Sequence, residues 1–132
     1  MSKSIKLKNN IYWSEESIGV TLFSGSLCGV DIPLNDSLNN YKYIEITYGT
    51  TWGGLRAKKV KVSGTSDLII TEEEMDTNTN NYGIVYINNK FHLDNNYLRF
   101  VGNTRTYKYE TDTNWQQDRV NPIAIEKVVG YN

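Results

Sequence analysis

Cysteine and histidine are each used once in this chain. Cys28 is the only cysteine, so neither an intramolecular disulfide nor a cysteine-based metal site can form. Between Leu27 and Gly29 it reads as a small buried hydrophobe. His92 is the only histidine, so any nucleophile–histidine pair or multi-histidine metal site would have to be built around one ring. In Phe91-His92-Leu93 the apolar neighbours point to one side of a strand and His92 to the other, toward solvent. Net charge is also missing, since 14 basic and 15 acidic residues leave -1. Nucleic-acid binding needs clustered Lys and Arg to displace counterions from phosphates. The nearest group, Arg56, Lys58, Lys59 and Lys61, reads as the wet face of a strand. Long hydrophobic runs are absent as well. The opening residues Met1 to Lys6 hold no apolar core of signal-peptide length, and no stretch approaches a membrane span. Synthesis in the cytoplasm without a signal peptide, and no membrane partner, are therefore expected.

Sustained helical periodicity is the last absence, and period-two alternation takes its place. From Tyr41 to Tyr48, Ile44, Ile46 and Tyr48 share one face, while Tyr43, Glu45 and Thr47 share the other. Leu55 to Val62 is a second strand whose phase slips between Ala57 and Val60, so a β-bulge is expected at Lys58-Lys59. Leu68 to Ile70 is a short apolar strand. The segment Thr71 to Asn81 reads as the longest loop, and its acidic residues read either as a calcium site or as a solvated turn. Residues 82–110 read as a meander broken at Asn88-Asn89, Asn95-Asn96 and Gly102-Asn103, pairs suited to the positive φ of tight hairpins. Ile5 to Leu7 and Ile11 to Trp13 form a small arm. Ile18 to Phe23, Gly29 to Leu34 and Ile123 to Val129 complete the strands.

Ten tyrosines against three phenylalanines, with many paired asparagines, suit short strands on half-wet surfaces joined by tight turns. Roughly ten strands in a chain of this length is the density of a sandwich. The expected fold is an all-β antiparallel sandwich, jelly-roll-like, with residues 1–132 as one domain and residues 1–16 as an N-terminal arm.

Catalytic constellations are weak. Glycoside hydrolysis needs two carboxylates facing across a cleft, and Glu45, Glu110, Asp112 and Asp118 are no more than any soluble chain offers. Trp52-Gly53-Gly54 sits between strands, where glycine makes a turn rather than a phosphate loop. No enzyme activity and no cofactor are expected. Binding has more to build on. Trp52 lies in a Gly-rich loop, and Trp115 lies in a polar loop beside Asp112, Gln116, Gln117 and Asp118. Sugars stack their C–H faces on aromatic rings and give their hydroxyls to amides and carboxylates. Trp115, Gln117, Asp112 and Trp52 are therefore the candidate carbohydrate-binding residues. The other reading of each indole is a cap folded back on the core.

Three stretches share a further cadence: Leu22-Phe23-Ser24-Gly25-Ser26, then Gly29-Val30-Asp31-Ile32-Pro33-Leu34, then Ser37-Leu38-Asn39-Asn40-Tyr41-Lys42-Tyr43-Ile44-Glu45-Ile46. This order, closed by Ile123 to Tyr131, resembles the C-terminal domains of tail-fibre and baseplate-associated proteins in phages and prophages of Gram-positive bacteria. The opening Ile5 to Trp13 is similar to short proteins encoded beside phage tail genes. The resemblance covers the first third and the last strand, and it is carried by scaffold motifs, so it transfers no binding residue. It implies a β-sandwich, often a homotrimer, at the tip of the virion tail, contacting host cell-wall glycan or other tail proteins. A purely structural virion or assembly protein, and a small phage-encoded inhibitor of a host protein, are the alternatives.

Overall fold

A computed structural model describes residues 4–7, 10–14, 18–49, 54–77, 81–118 and 123–132. In chain order the strands are Ser4–Leu7 (β1), Asn10–Ser14 (β2), Val20–Cys28 (β3), Ile32–Pro33 (β4), Tyr43–Gly49 (β5), Leu55–Lys61 (β6), Asp67–Asp76 (β7), Gly83–Asp94 (β8), Tyr97–Tyr109 (β9), Gln116–Asp118 (β10) and Ala124–Tyr131 (β11). Two antiparallel sheets form a sandwich-like all-β domain. One has the order β3-β11-β5-β6; the other has β10-β9-β8-β7, with β4 also pairing to β9. Within the stretch expected as an N-terminal arm, β1 and β2 pair with each other antiparallel.

Alternation explains the core. Ile44, Ile46 and Tyr48 of β5 are buried, as are Ile125 and Val128 of β11 and Leu22 of β3. The second sheet contributes Leu68, Ile70, Phe91 and Leu98, and Ile32 and Leu38 seal the crossing between the sheets. Phe91 and Phe100 meet edge to face, with centroids 5.6 Å apart. Each fully buried aliphatic side chain of this kind contributes about 1.5–3 kcal/mol relative to exposure.

β6 departs from expectation. It pairs with β5 without interruption from Tyr43↔Lys61 to Gly49↔Leu55, so no bulge occurs at Lys58-Lys59. Val60 does face the core, and Leu55 and Ala57 are exposed on the other side. The phase is kept by letting Leu55 project outward and by placing Arg56 and Lys58 on the inner face. That is tolerable because β6 is an edge strand, where a long cation reaches the rim. Lys58 Nζ donates to the Ile69 carbonyl across the gap at 2.9 Å.

The second sheet is longer than the sequence suggests. Thr71 to Asp76 is strand, not loop, and continues β7 from Asp67. Its carboxylates alternate between two faces and do not converge around a turn, so the calcium reading loses its geometry. Among the described residues no group of three or more His, Cys, Asp or Glu side chains is placed to hold a metal ion. Asn88-Asn89 and Gly102-Asn103 lie inside β8 and β9, and only Asn95-Asn96 turns, with Asn95 at φ 47°. Asn89 is fully buried, and its Oδ1 accepts the Ile123 N–H from the chain entering β11. The Gly102 signal marks a bulge instead. Lys90 pairs with Gly102 and Phe91 with Phe100, which leaves Val101 as the extra residue. Two smaller differences follow from edges and crossings. β3 runs on through Ser24-Gly25, and Cys28 at its end is exposed rather than buried. The segment from Gly29 pairs only at Ile32–Pro33, because the chain is changing sheets there.

Candidate functional site

The outer face of the β7-β8-β9-β10 sheet carries a row of exposed apolar and aromatic groups. A sheet with one face on the core normally wets its other face. Here the outward positions of β7 and β8 include Ile69, Met75 and Ile84, all exposed, with Val101 at the β9 bulge. Register sets them in rows. Ile69, Lys90 and Gly102 lie side by side, then Thr71, Asn88 and Thr104, then Glu73, Tyr86 and Thr106, then Met75, Ile84 and Lys108. Gln117 of β10 sits opposite Thr106, and its Nε2 donates to Thr106 Oγ1 at 3.5 Å.

Trp115 lies over this face. Its indole is packed against Tyr86, with centroids 5.8 Å apart and planes tilted by 43°. It remains 51% exposed, so it is not a cap on the core. With Met75, Tyr82, Ile84, Lys108 and Asp112 it lines a depression of about 350 Å³.

The loop that carries Trp115 is fixed from both ends. The Tyr109 N–H donates to Asp112 Oδ2 at 3.0 Å, and the Asp112 N–H donates to the Tyr109 carbonyl at 2.9 Å. Asn81 Nδ2 donates to Thr111 Oγ1 at 3.0 Å. The inner face adds further anchors beneath. Arg105 Nε donates to Asp118 Oδ1 at 2.8 Å, tying β9 to β10, and its guanidinium lies over the Tyr107 ring. The Tyr109 hydroxyl donates to Asp76 Oδ2 at 2.7 Å, and that hydrogen bond to a carboxylate, with some burial, raises the Tyr109 phenol above its ordinary value. Asp118 is held below the usual carboxylate range by the Arg105 hydrogen bonds. The Tyr109 ring rests on Gly83, where an added Cβ would lie 2.5 Å from it. Trp115 therefore stands on a sheet end braced from behind.

Of the residues singled out in the sequence, Trp115 and Asp112 share this depression, and Gln117 adjoins it on the same face. Asp112 spends one carboxylate oxygen on the turn, so its part is as much structural as ligand-facing. Trp52 lies outside the described residues. Met75, Tyr82, Ile84, Tyr86 and Lys108 were not among the candidate carbohydrate-binding residues. The available signal was the apolar character of both faces in Ile84-Val85-Tyr86-Ile87, where Val85 and Ile87 are buried inward and Ile84 and Tyr86 face out. His92 is an exposed strand residue whose Nδ1 lies 3.1 Å from Asp67 Oδ1. That contact, reinforced by Lys90, holds Asp67 below its ordinary pKa. Glu110 lines the same depression as Asp112, two residues away in the same turn, whereas Glu45 lies in the other sheet and Asp118, on β10, pairs with Arg105.

No protein-family model matches the chain, and no curated protein matches it.

Proposed function

We propose that this chain is a non-enzymatic binding module that recognises carbohydrate through the outer face around Trp115, as a tail-associated protein contacting a bacterial host surface. The observation that carries the reading is a half-exposed indole braced on Tyr86, with the carboxylate of Asp112 and the ammonium of Lys108 lining the same depression and Gln117 on the neighbouring strand of that face. An indole costs free energy in water, and a rigid aromatic platform with a few polar groups is what a sugar ring needs for orientation. The tail setting rests on the resemblance of residues 22–46 and 123–131 to tail-fibre and baseplate-associated domains.

The direct experiment is co-sedimentation of the purified protein with cell walls of Gram-positive bacteria, before and after enzymatic removal of wall polysaccharide. Retention that disappears with the polysaccharide is the expected result. Retention that survives its removal would point to a protein receptor.

The six exposed apolar residues Ile69, Met75, Tyr82, Ile84, Val101 and Trp115 favour one other occupant of this face, further copies of the chain in a closed trimer. Light scattering separates the two. A monomer of 15.2 kDa keeps this face free for a glycan, and a trimer dispersed by Trp115→Ala would assign it to assembly.

A further inference from the structure

A second depression lies on the same outer face, apart from the one that holds Trp115. It has a volume of about 830 Å³ and is lined by Ile69, Thr71, Lys90, Val101, Gly102 and Thr104. The β9 bulge makes it, because the extra residue bends the strand away where Gly102 presents no side chain. A Cβ added at Gly102 would meet no atom within 4 Å, so the floor is open backbone. Beside it, Thr71 Oγ1 donates to Asn88 Oδ1 at 2.7 Å, which leaves the Asn88 amide hydrogens as the donors that this side chain presents.

The two depressions lie in line. Ile84, Tyr86, Asn88 and Lys90 are successive outward positions of β8. At about 3.3 Å per residue, the run from Ile84 to Lys90 covers about 20 Å. Chemistry changes along it. Trp115, Met75 and Ile84 make one end apolar, Ile69 and Val101 make the other end apolar, and between them lie the polar Thr71, Asn88, Thr104 and Thr106, with Glu73 and the Tyr86 ring in the same rows. A protein partner wants the reverse, an apolar centre inside a polar rim. Charge is mixed, with Lys90 and Lys108 offset by Glu73 and Glu110, so the path does not select a polyanion.

We infer that the two depressions are subsites of one path along β8, and that the ligand is a linear polysaccharide long enough to occupy both. This rests on the reading of Trp115 as a sugar platform. Its chain alternates C–H faces with hydroxyls, and once one end is held the other binds as an intramolecular event. A monosaccharide or disaccharide reaches only one subsite.

The test uses size-fractionated fragments of cell-wall polysaccharide and titration calorimetry on the full chain. Wild type is expected to bind fragments longer than about 20 Å at least tenfold more tightly than disaccharide fragments. Gly102→Phe fills the second groove and is expected to remove that gain. Thr104→Tyr blocks the same groove from a position that already carries a side chain, and is read instead if Gly102→Phe lowers the melting temperature. Leu55→Ser, on the opposite sheet, is the control expected to bind as wild type. Affinity independent of length, or a gain that survives both groove-filling variants, would overturn the extended path while a Trp115→Ala loss left the platform standing. If no fragment binds at any length, the platform reading fails and the path with it.

Discussion

Lys58 Nζ, on the edge strand of one sheet, donates to the backbone carbonyl of Ile69, on the edge strand of the other, at 2.9 Å. An inward-pointing lysine thus occupies an acceptor that a free sheet edge would otherwise offer to another chain. The bond is exposed, so Lys58→Ala is expected to cost about 1 kcal/mol or less in stability. Its larger effect is expected on self-association. Light scattering over a concentration series should give the variant a mass above that of wild type, and an unchanged mass would show that this charge does not guard the edge.

The braces behind Trp115 make a separate prediction. Tyr109→Phe removes the hydroxyl that donates to Asp76 and is expected to cost about 1 kcal/mol. Gly83→Ala drives a methyl group into the Tyr109 ring and is expected to cost about 1–3 kcal/mol, as overpacking does. Urea midpoints measure both. Equal stability of Gly83→Ala and wild type would mean that the ring does not rest on the glycine.

Acid provides a third. Asp31, Asp36, Asp67 and Asp118 all sit below their ordinary value of 3.8. The leading causes are hydrogen bonds from Arg99, the Tyr41 hydroxyl, His92 and Arg105, respectively. A carboxylate whose pKa falls on folding binds fewer protons in the native state, so its stabilisation is present above the unfolded value. It is lost as pH falls through the lower folded value. Melting temperature is therefore expected to hold steady from neutrality to about pH 5 and to fall below 3.8. Arg105→Gln should flatten part of that fall by releasing Asp118. A melting temperature that rises on acidification would contradict the assignment.

The buried amide of Asn89 gives a fourth. Its Oδ1 accepts the Ile123 N–H at 3.3 Å and joins β8 to the start of β11. Asn89→Ala leaves that buried N–H without its acceptor and is expected to cost about 1–3 kcal/mol by calorimetry.

The same residue shows where sequence reasoning stops. Asn88-Asn89 and Asn95-Asn96 are the same dipeptide, and only the second turns. One difference is a bond to Ile123, just ahead of β11 in the other sheet, which no local pattern carries. β5 was readable because its whole signal is local: Ile44, Ile46 and Tyr48 alternate with polar residues, and the register makes all three buried. In β7 only Leu68 to Ile70 was readable, and its continuation through Thr71 to Asp76 was not, because Glu72 is buried near Tyr48 of the opposite sheet and those surroundings exist only after folding. At the candidate site the polar loop around Trp115 was legible, but the choice between an exposed platform and a core cap was not. Tyr86 and Met75 beside it were not, since the register of two hairpins brings them together.

Trp115→Ala separates a recognition role for this side chain from a structural one when affinity and stability are measured on the same preparation. Binding to wall polysaccharide is expected to weaken at least tenfold, about 1.4 kcal/mol. The contact with Tyr86 is expected to contribute only about 1 kcal/mol to folding, leaving the melting temperature close to wild type. Unchanged affinity, or a stability loss of about 3 kcal/mol or more of the kind a core residue gives, would contradict the account.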